Sequence, residues 1–315
     1  MPLTLEQYAT YLDSRDLLWP LAPAPERPKA KPHLVRLPDV RAVVWNVYGT
    51  LLAISDGLLR FDHPDPIVYH AVLEKTLEEF KMWGSMARKP GQPGVYLKDL
   101  YHRAIDEQKL LAGGDPHQEI VAERIWENIV KKLMQRDYHF DTGFYGSLNE
   151  YCRKIAYFFH ASLQGTACYE TAAATCARLH ERGVQQGIFA DGQCFSFVQL
   201  SRGLKAQQPS INPEAIFSPK LRVFSADKRV KKPAPTLTAA VIAAVEAAGL
   251  APHEVLHVGS SLPRDIKPAR QAGMRTALFA GDRASLVATP EQLKEPQLRP
   301  DLLITQLDQL IEVVG

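Results

Sequence analysis

The stretch of sequence that decides the fold lies at residues 41–51 and reads RAVVWNVYGTL. Its apolar part, from Ala42 to Trp45, stops abruptly at the polar amide of Asn46. A short apolar run of this kind is typical of a strand that is buried on both faces of a parallel sheet. The sequence therefore predicts a buried strand here that closes in a turn at Tyr48, Gly49 and Thr50.

Strands and helices alternate from about residue 165 to the end of the sequence. Apolar runs predict strands at 187–190, 222–225, 255–259, 275–280 and 302–305. Helical patterns occupy 169–182, 197–202 and the alanine-rich stretch 236–249. This alternation predicts an α/β domain in which helices cover both faces of a parallel sheet.

The region between the first strand and this alternating part has a helical pattern. One apolar stripe at helical spacing consists of Ile120, Val121, Ile125, Trp126, Ile129, Val130 and Leu133, and we interpret it as core. We predict an α/β core formed by residues 41–56 and 164–315, with an all-helical domain inserted at 57–163. Residues 1–40 are predicted to form a separate N-terminal region.

This N-terminal region combines a helical pattern with many prolines. Leu5, Tyr8, Leu12 and Leu17 predict an amphipathic helix within residues 4–19. The prolines at 20, 23, 25, 28 and 32 then predict an extended linker. The helix docks either on its own chain or on another chain, and the pattern alone leaves both open.

Composition and charge exclude several classes of protein. Lys plus Arg number 37 against 35 for Asp plus Glu, so a net charge of +2 gives no reason to expect nucleic acid or an anionic membrane as a partner, although a local patch could exist. No apolar run is long enough for a transmembrane helix, and no secretory signal is present. The four cysteines, Cys152, Cys168, Cys176 and Cys194, lack metal-binding spacing. We therefore expect reduced cysteines and a cytoplasmic protein.

Four segments, in this order, resemble the motifs of the haloacid dehalogenase (HAD) superfamily. They are Trp45 to Leu51, Phe189 to Gln193, Lys232-Pro233, and Val258 to Asp265. The resemblance implies a Rossmann-like core with a type I helical cap, and it assigns the helical stretch 57–163 to that cap. It also implies a site at the carboxyl ends of the strands, where doubly wound sheets bind their ligands.

The positions that carry catalysis in this family are largely replaced here. In active members a carboxylate after the first strand is the nucleophile, and in phosphatases a second one, two residues later, is the acid/base group. A Ser or Thr in the second motif holds the oxyanion, a Lys neutralises charge, and carboxylates of the fourth motif hold Mg²⁺. The matching residues in this chain are Asn46, Tyr48, Ala190, Lys232, Ser260 and Asp265.

These replacements imply a site that has lost its nucleophile. The amide of Asn46 is not a competent nucleophile, and Ala190 has no hydroxyl group. Asp265 is the only metal-side carboxylate that is kept, so we expect no cofactor, and Mg²⁺ only if the protein is a phosphatase. Tyr48 and Ser260, together with Ser261, resemble the metal-free 2-haloacid dehalogenases of the superfamily. Leu262 and Thr238 depart from that branch.

What remains could still bind an anion, since backbone N–H groups and a lysine suffice for that. The residues expected to bind a ligand are Gly49, Thr50, Asp191, Gly192, Lys232 and Ser261. Three functions are therefore open. The first is an inactive HAD relative that binds a small anion or a protein partner. The second is an atypical dehalogenase or phosphatase, and the third is an interaction protein acting through residues 1–40 and the cap.

Three further features are interpreted as structural. We expect Cys194 and His257 to be core side chains rather than catalytic or ligating groups. Lys228, Arg229 and Lys231 are expected to form a solvated basic surface beside Lys232.

Overall fold

The protein consists of two compact units. The structure is a computed structural model that describes residues 1–86 and 92–314. The helical unit contains residues 1–21, 60–165 and 193–198, and the α/β unit contains residues 22–59, 166–192 and 199 onward. The N-terminal region predicted at 1–40 is thus divided between the two units after Leu21.

One parallel sheet forms the centre of the α/β unit. The strands are β1 Ala42–Trp45, β2 Leu52–Ala53, β3 Ala167–Cys168, β4 Gln185–Ala190, β5 Phe217–Phe224, β6 Val255–Gly259, β7 Arg275–Phe279 and β8 Leu302–Ile304. Six of them lie in the order β5-β4-β1-β6-β7-β8, and all neighbours are parallel. β2 and β3 form a separate antiparallel pair. The predicted first strand is confirmed as the buried centre of the sheet.

The helices are distributed over both units. In chain order they are α1 Leu5–Asp13, α2 Pro66–Glu79, α3 Trp83–Met86, α4 Pro93–Leu111, α5 Ala122–Met134, α6 Thr142–Tyr145, α7 Leu148–Leu163, α8 Ala172–Glu181, α9 Ser196–Gln207, α10 Pro213–Ile216, α11 Ser225–Lys228, α12 Pro235–Ala247, α13 Lys267–Gln271 and α14 Leu310–Val313. Short 3₁₀ or π turns occur at Ser55–Gly57, Pro252–Glu254, Leu262–Ile266, Gln292–Lys294 and Leu307–Gln309. α1 to α7 belong to the helical unit, and α9 begins there and continues in the α/β unit. An α/β core with a helical cap, as predicted, is confirmed.

Helices and apolar side chains enclose the sheet. Val44 and Phe189 of the two central strands pack in one core cluster with Leu237, Val241 and Val245 of α12. Another cluster joins the Leu262–Ile266 turn to β7. Burial of these side chains supplies the main stabilisation, at about 25 cal/mol per Å² of apolar surface removed from water.

Some predicted element bounds are wrong. β5 begins at Phe217 rather than 222, because Pro219 and Lys220 hide the strand pattern; both residues are common on an edge strand such as this one. α9 continues to Gln207, beyond the predicted end at 202. α1 ends at Asp13 rather than 19, since the Ser14 N–H bonds back to Tyr11 and the chain then turns.

The predicted apolar stripe lies in the core of the helical unit. α5 begins at Ala122, so Ile120 and Val121 precede the helix, and the other stripe residues are buried on one face. The ring of Trp126 lies 5.3 Å from that of Phe159 on α7. The interpretation of this stripe as core is confirmed.

α1 docks on its own chain. A capping box between Thr4 and Gln7 begins the helix, and Tyr8 and Leu12 are buried. Arg15 then binds the carboxylate of Glu79 at 2.5 Å. Of the two open possibilities for the predicted helix, the structure shows docking within the chain.

The proline-rich segment, which we call the N-terminal strap (residues 22–40), is extended as predicted but is anchored to the α/β unit. The Glu26 N–H donates to Asp282 Oδ1 at 3.1 Å. His33 exchanges two backbone hydrogen bonds with Leu303 of β8, at 2.8 and 3.0 Å, and the Leu37 N–H donates to Val313 O at 2.7 Å. The strap therefore covers the outer edge of β8, where exposed backbone groups would otherwise invite further pairing.

In residues 1–86 and 92–314, no helix has both the length and the apolar character needed to cross a bilayer.

Candidate functional site

The predicted motif residues meet at one edge of the sheet. Asn46 directly follows β1, Ala190 ends β4, and Ser260 follows β6. β4 and β6 are the two neighbours of β1, and the carboxyl ends of parallel strands lie at the same edge. Lys232 and Asp265 also reach this point, as their contacts with Asn46 and with one another show.

Asn46 forms hydrogen bonds through both ends of its amide. Its Nδ2 donates to the carbonyl oxygen of Tyr48 at 2.8 Å, and lies 3.5 Å from Thr50 Oγ1. Its Oδ1 accepts from Lys232 Nζ at 3.1 Å. A carboxylate could not make the bond to Tyr48, because it has no N–H to donate. The side chain at this position therefore links the turn after β1 to the lysine.

Lys232 is buried and has an acceptor for each of its three ammonium protons. Its Nζ donates to Asn46 Oδ1, to the carbonyl oxygen of Phe189 at 3.1 Å, and to Asp265 Oδ1. Only 3% of the residue is exposed. A buried ammonium group is tolerated when it is paired and fully hydrogen-bonded, and this one is.

Asp265 is the carboxylate partner of this lysine. Burial alone would raise its pKa, but Lys232 and the nearby His257 ring hold the pKa of this carboxyl below its ordinary value. Its Oδ2 accepts the Ser261 backbone N–H at 2.9 Å. Asp265 is therefore an ionised group whose two oxygens are both bound by the protein.

Asp191 lies beside the same lysine and behaves differently. Its Oδ1 accepts the backbone N–H of Lys232 at 2.8 Å. Burial raises the pKa of this carboxyl, an effect that the positive charge of Lys232 only partly offsets. The site therefore contains two carboxyl groups in different electrostatic environments, one of which is stabilised in its charged form.

Four backbone N–H groups that were expected to bind an anion donate hydrogen bonds to acceptors within the protein. Gly49 donates to Leu52 O at 2.7 Å, and Thr50 donates to Val47 O at 3.2 Å. The Gly192 N–H donates to Ser225 Oγ at 2.9 Å. With Ser261 bound to Asp265, each of these four predicted ligand-binding residues already has an internal acceptor for its N–H.

Gly49 allows the turn after β1 to pack closely. Its φ of +77° lies in the left-handed region, and an added Cβ would lie 2.9 Å from Ser285 Cβ and 3.0 Å from Ser260 Oγ. A larger residue would therefore be strained and would also collide with its neighbours. The Ser260 hydroxyl faces this turn.

Tyr48 has a partner that the sequence did not reveal. Its hydroxyl donates to Gln199 Oε1 at 2.6 Å, and the ring is buried. Gln199 lies on α9, within a helical pattern that gives no sign of a role at the site. Ser225, the partner of Gly192, was missed for the same reason: a single serine carries no spacing signal.

The oxygen atoms around Asn46 and Asp265 do not form a suitable set of ligands for Mg²⁺. Asn46 brings no charge, the Tyr48 carbonyl accepts from Asn46, and both oxygens of Asp265 are bound by N–H groups. Mg²⁺ requires near-octahedral oxygen ligands, commonly with one or two carboxylates. Within residues 1–86 and 92–314, no cluster of three His, Cys, Asp or Glu side chains could hold a metal.

The features interpreted as structural are placed as follows. His257 is fully buried with its Nδ1 2.9 Å from Val44 O, and burial lowers the pKa of its ring. Its Nε2 lies 3.8 Å from Asp265 Oδ1, so this core histidine also borders the site. Cys194 lies in a turn, and burial raises the pKa of its thiol. Lys228, Arg229 and Lys231 are exposed, as predicted.

Comparison with known proteins bears on the fold of the chain. Residues 230–310 match the family model described as HAD-hydrolase-like. A 2-haloacid dehalogenase from Pseudomonas syringae pv. Tomato DC3000 superposes with a TM-score of 0.52 at 18% identity, over 87% of this chain and 97% of that one. This chain has the HAD fold.

A second similar structure comes from Xanthobacter autotrophicus. It is an L-2-haloacid dehalogenase with chloropropionic acid covalently bound, with a TM-score of 0.42 and 20% identity over 87% of this chain and 97% of that one. No curated protein matches the sequence. The fold that the resemblance implied is confirmed by the superposition on the Pseudomonas syringae structure.

Proposed function

We propose that this protein is a HAD-fold relative without hydrolytic activity, and that it works in the cytoplasm by binding a partner. The observation that carries the proposal is the hydrogen-bond network of Asn46, Lys232 and Asp265. Each of the three side chains is bound to another member or to the backbone. Such a network stabilises the fold and leaves none of these three side chains free to attack a substrate.

The missing groups support the same conclusion. Hydrolysis by a covalent route needs a nucleophile and a donor that stabilises the developing oxyanion. Asn46 is a neutral amide, and Ala190 has no hydroxyl. In the serine protease subtilisin, loss of the nucleophile alone lowers turnover by about six orders of magnitude. Lys232 and Asp265, which are bound to one another, offer no replacement.

The internal hydrogen bonds favour a macromolecular partner over a small anion. An anion bound through the backbone of the predicted ligand-binding residues would need the N–H groups of Gly49, Thr50, Gly192 and Ser261, which already donate within the protein. It would also approach the charged carboxylate of Asp265. Breaking such buried hydrogen bonds costs about 1–3 kcal/mol for each group left unpaired. A partner bound elsewhere on the surface avoids this cost.

A second candidate is an atypical hydrolase of the 2-haloacid dehalogenase type. Tyr48, Lys232, Ser260 and Asp265 all reach the edge of the sheet beside Asn46, which favours this branch. A phosphatase would additionally require Mg²⁺, for which these donors are a poor set.

Turnover by the purified protein tests the proposal. Phosphate release from an aryl phosphate with Mg²⁺, and halide release from a 2-halo acid, should equal the buffer background. Intact mass should be measured on the same sample, because deamidation of Asn46 would create a carboxylate. Release above background by protein of unmodified mass would refute the proposal and support the second candidate.

A further inference from the structure

The N-terminal strap carries a concentration of positive charge that the net charge of the protein conceals. Between residues 27 and 38 there is no Asp or Glu. The same segment contains the residues that we call the basic strip, namely Arg27, Lys29, Lys31, His33 and Arg36. This is a local patch in a chain whose total charge is only +2.

The basic strip faces solvent. From Arg27 to Lys31 the basic residues are exposed, whereas Pro28 and Ala30 between them are partly buried. His33 and Arg36 are exposed as well. The charged side chains of the strap therefore point away from the α/β unit, and Pro28 and Ala30 point towards it.

Most of these charges have no internal partner. Arg27 pairs with Glu170 at 3.0 Å, but both side chains are largely exposed, so the pair is weak. Within residues 1–86 and 92–314, Lys29, Lys31 and Arg36 form no ion pair with a carboxylate of this chain. Three exposed cations in a short segment are therefore available to a partner.

The strip is also held in place before any partner binds. Backbone hydrogen bonds fix the strap at Glu26, His33 and Leu37. Binding to a segment that is already ordered avoids the entropy cost of folding a disordered chain. The strap therefore has the properties of a preformed binding surface rather than those of a free linker.

We propose that the basic strip binds an acidic peptide segment of another protein. Leu34 and Val35 lie between His33 and Arg36 and are exposed, at 37% and 47%, so a peptide with both carboxylates and apolar side chains fits this surface. The charges would set orientation and association rate, and the apolar pair would add contact area. This inference does not depend on whether the site turns over a substrate.

A peptide fits this surface better than a nucleic acid or a membrane. Single-stranded nucleic acid binding relies on aromatic side chains for base stacking, and residues 22–40 contain no Phe, Tyr or Trp. Two exposed carboxylates lie close to the strip. Asp39 follows it in the sequence, and Glu170 pairs with Arg27. They would be repelled by a flat anionic bilayer, whereas a narrow peptide can avoid them.

The test uses the full-length protein and a labelled, glutamate-rich peptide that also contains leucine. Its counterpart has every glutamate replaced by glutamine. The strip variant combines Lys29→Glu, Lys31→Glu and Arg36→Glu. The control variant combines Lys220→Glu, Lys228→Glu and Lys294→Glu, which changes the net charge equally at exposed positions of the same unit. Binding is measured by fluorescence anisotropy at low and physiological salt.

We expect the acidic peptide to bind the natural protein, with an affinity that falls as the salt concentration rises. The strip variant should bind the peptide about tenfold more weakly, because it loses several exposed charge pairs that each contribute modestly. The affinity of the control variant should stay within about twofold of that of the natural protein. A further variant with Lys29→Gln, Lys31→Gln and Arg36→Gln should lose affinity without reversing charge.

Three results would overturn the proposal. One is equal loss in the strip and control variants, which would mean that only net charge matters. Another is equal binding of the glutamine peptide. The third is tighter, strip-dependent binding of single-stranded RNA or of anionic lipid vesicles, which would assign the strip to a different partner. Hydrolysis assays are independent of all three.

Discussion

At the scale of single residues, Asn46 stands where the resemblance to the HAD superfamily implies a nucleophilic carboxylate, and it makes a contact that a carboxylate could not make. Its Nδ2 donates to the Tyr48 carbonyl, and its Oδ1 accepts from Lys232. An aspartate here would place a carboxylate oxygen against that carbonyl oxygen, and it would have to share Lys232 with Asp265. The amide therefore suits the internal network better than a carboxylate would.

Asn46→Asp should therefore lower the free energy of unfolding. The Tyr48 carbonyl loses its donor, and an additional buried charge appears, so we expect a cost of about 1–3 kcal/mol. Asn212→Asp is the matched control, because Asn212 is exposed at the N-cap of α10, where aspartate serves equally well. Urea unfolding at neutral pH measures both. Equal stability of the two variants would contradict the structural role of the amide.

Lys232→Met should destabilise the protein by about 3–5 kcal/mol at neutral pH, because it leaves Asp265 buried and unpaired. In the natural protein the pKa of Asp265 is lowered, so its contribution to stability is present above the ordinary carboxyl pKa of about 4 and is lost as pH falls further. Without the lysine, burial raises that pKa, and protonation then relieves the penalty.

The difference in stability between this variant and the natural protein should therefore shrink as pH falls from neutral towards about 4. Lys231→Met, at the exposed neighbouring lysine, should change stability by less than about 0.5 kcal/mol at every pH. Urea unfolding across this pH range provides the comparison. If Lys232→Met lowers the free energy of unfolding by the same amount at every pH, Lys232 contributes through packing and not through charge.

At the scale of elements, the N-terminal region has two distinct attachments. α1 buries Tyr8 and Leu12 in the helical unit, while the strap pairs with β8 in the α/β unit. After α1, the chain passes close to Gly165. A Cβ added to Gly165 would lie 2.4 Å from the carbonyl oxygen of Pro20. A glycine is needed at this close approach of two backbone segments.

Gly165→Ala should therefore displace residues 20–21 and cost about 1–3 kcal/mol, as overpacking does elsewhere. Faster proteolysis next to Leu18 and Leu21, which are largely exposed, should accompany the loss. Gly84→Ala is the control, because an added Cβ there meets nothing within 4 Å. That change should be neutral or stabilise α3 by up to about 1 kcal/mol. Identical proteolysis of both variants would be incompatible with the close approach at Gly165.

How well each element could be predicted depended on its local pattern. β1 was predictable because it is a continuous apolar run, and β6 because His257 is the single polar residue in a short apolar run. The early start of β5 was not, since an edge strand carries Pro219 and Lys220 in place of apolar residues. The anchoring of the strap was also invisible, because backbone bonds to Leu303 and Val313 leave no mark on residue type.

At the scale of the whole molecule, the order of the motifs was enough to predict the HAD fold. A parallel sheet brings the ends of neighbouring strands together, so residues far apart in sequence, such as Asn46 and Lys232, could be expected to meet. The internal hydrogen bonds of the site could not be predicted. Gly192 donates to Ser225 and Tyr48 donates to Gln199, and only the folded chain defines the positions of these two partners.

The most direct test of the central claim is to assay the natural protein and Asn46→Asp side by side for release of phosphate and of halide. We expect both to remain at the buffer background, because Ala190 has no hydroxyl to bind an oxyanion and Lys232 is held by internal acceptors. Activity of the natural protein at unmodified mass would contradict the claim that it is inactive. Activity gained by Asn46→Asp would contradict the claim that the remaining site residues are purely structural.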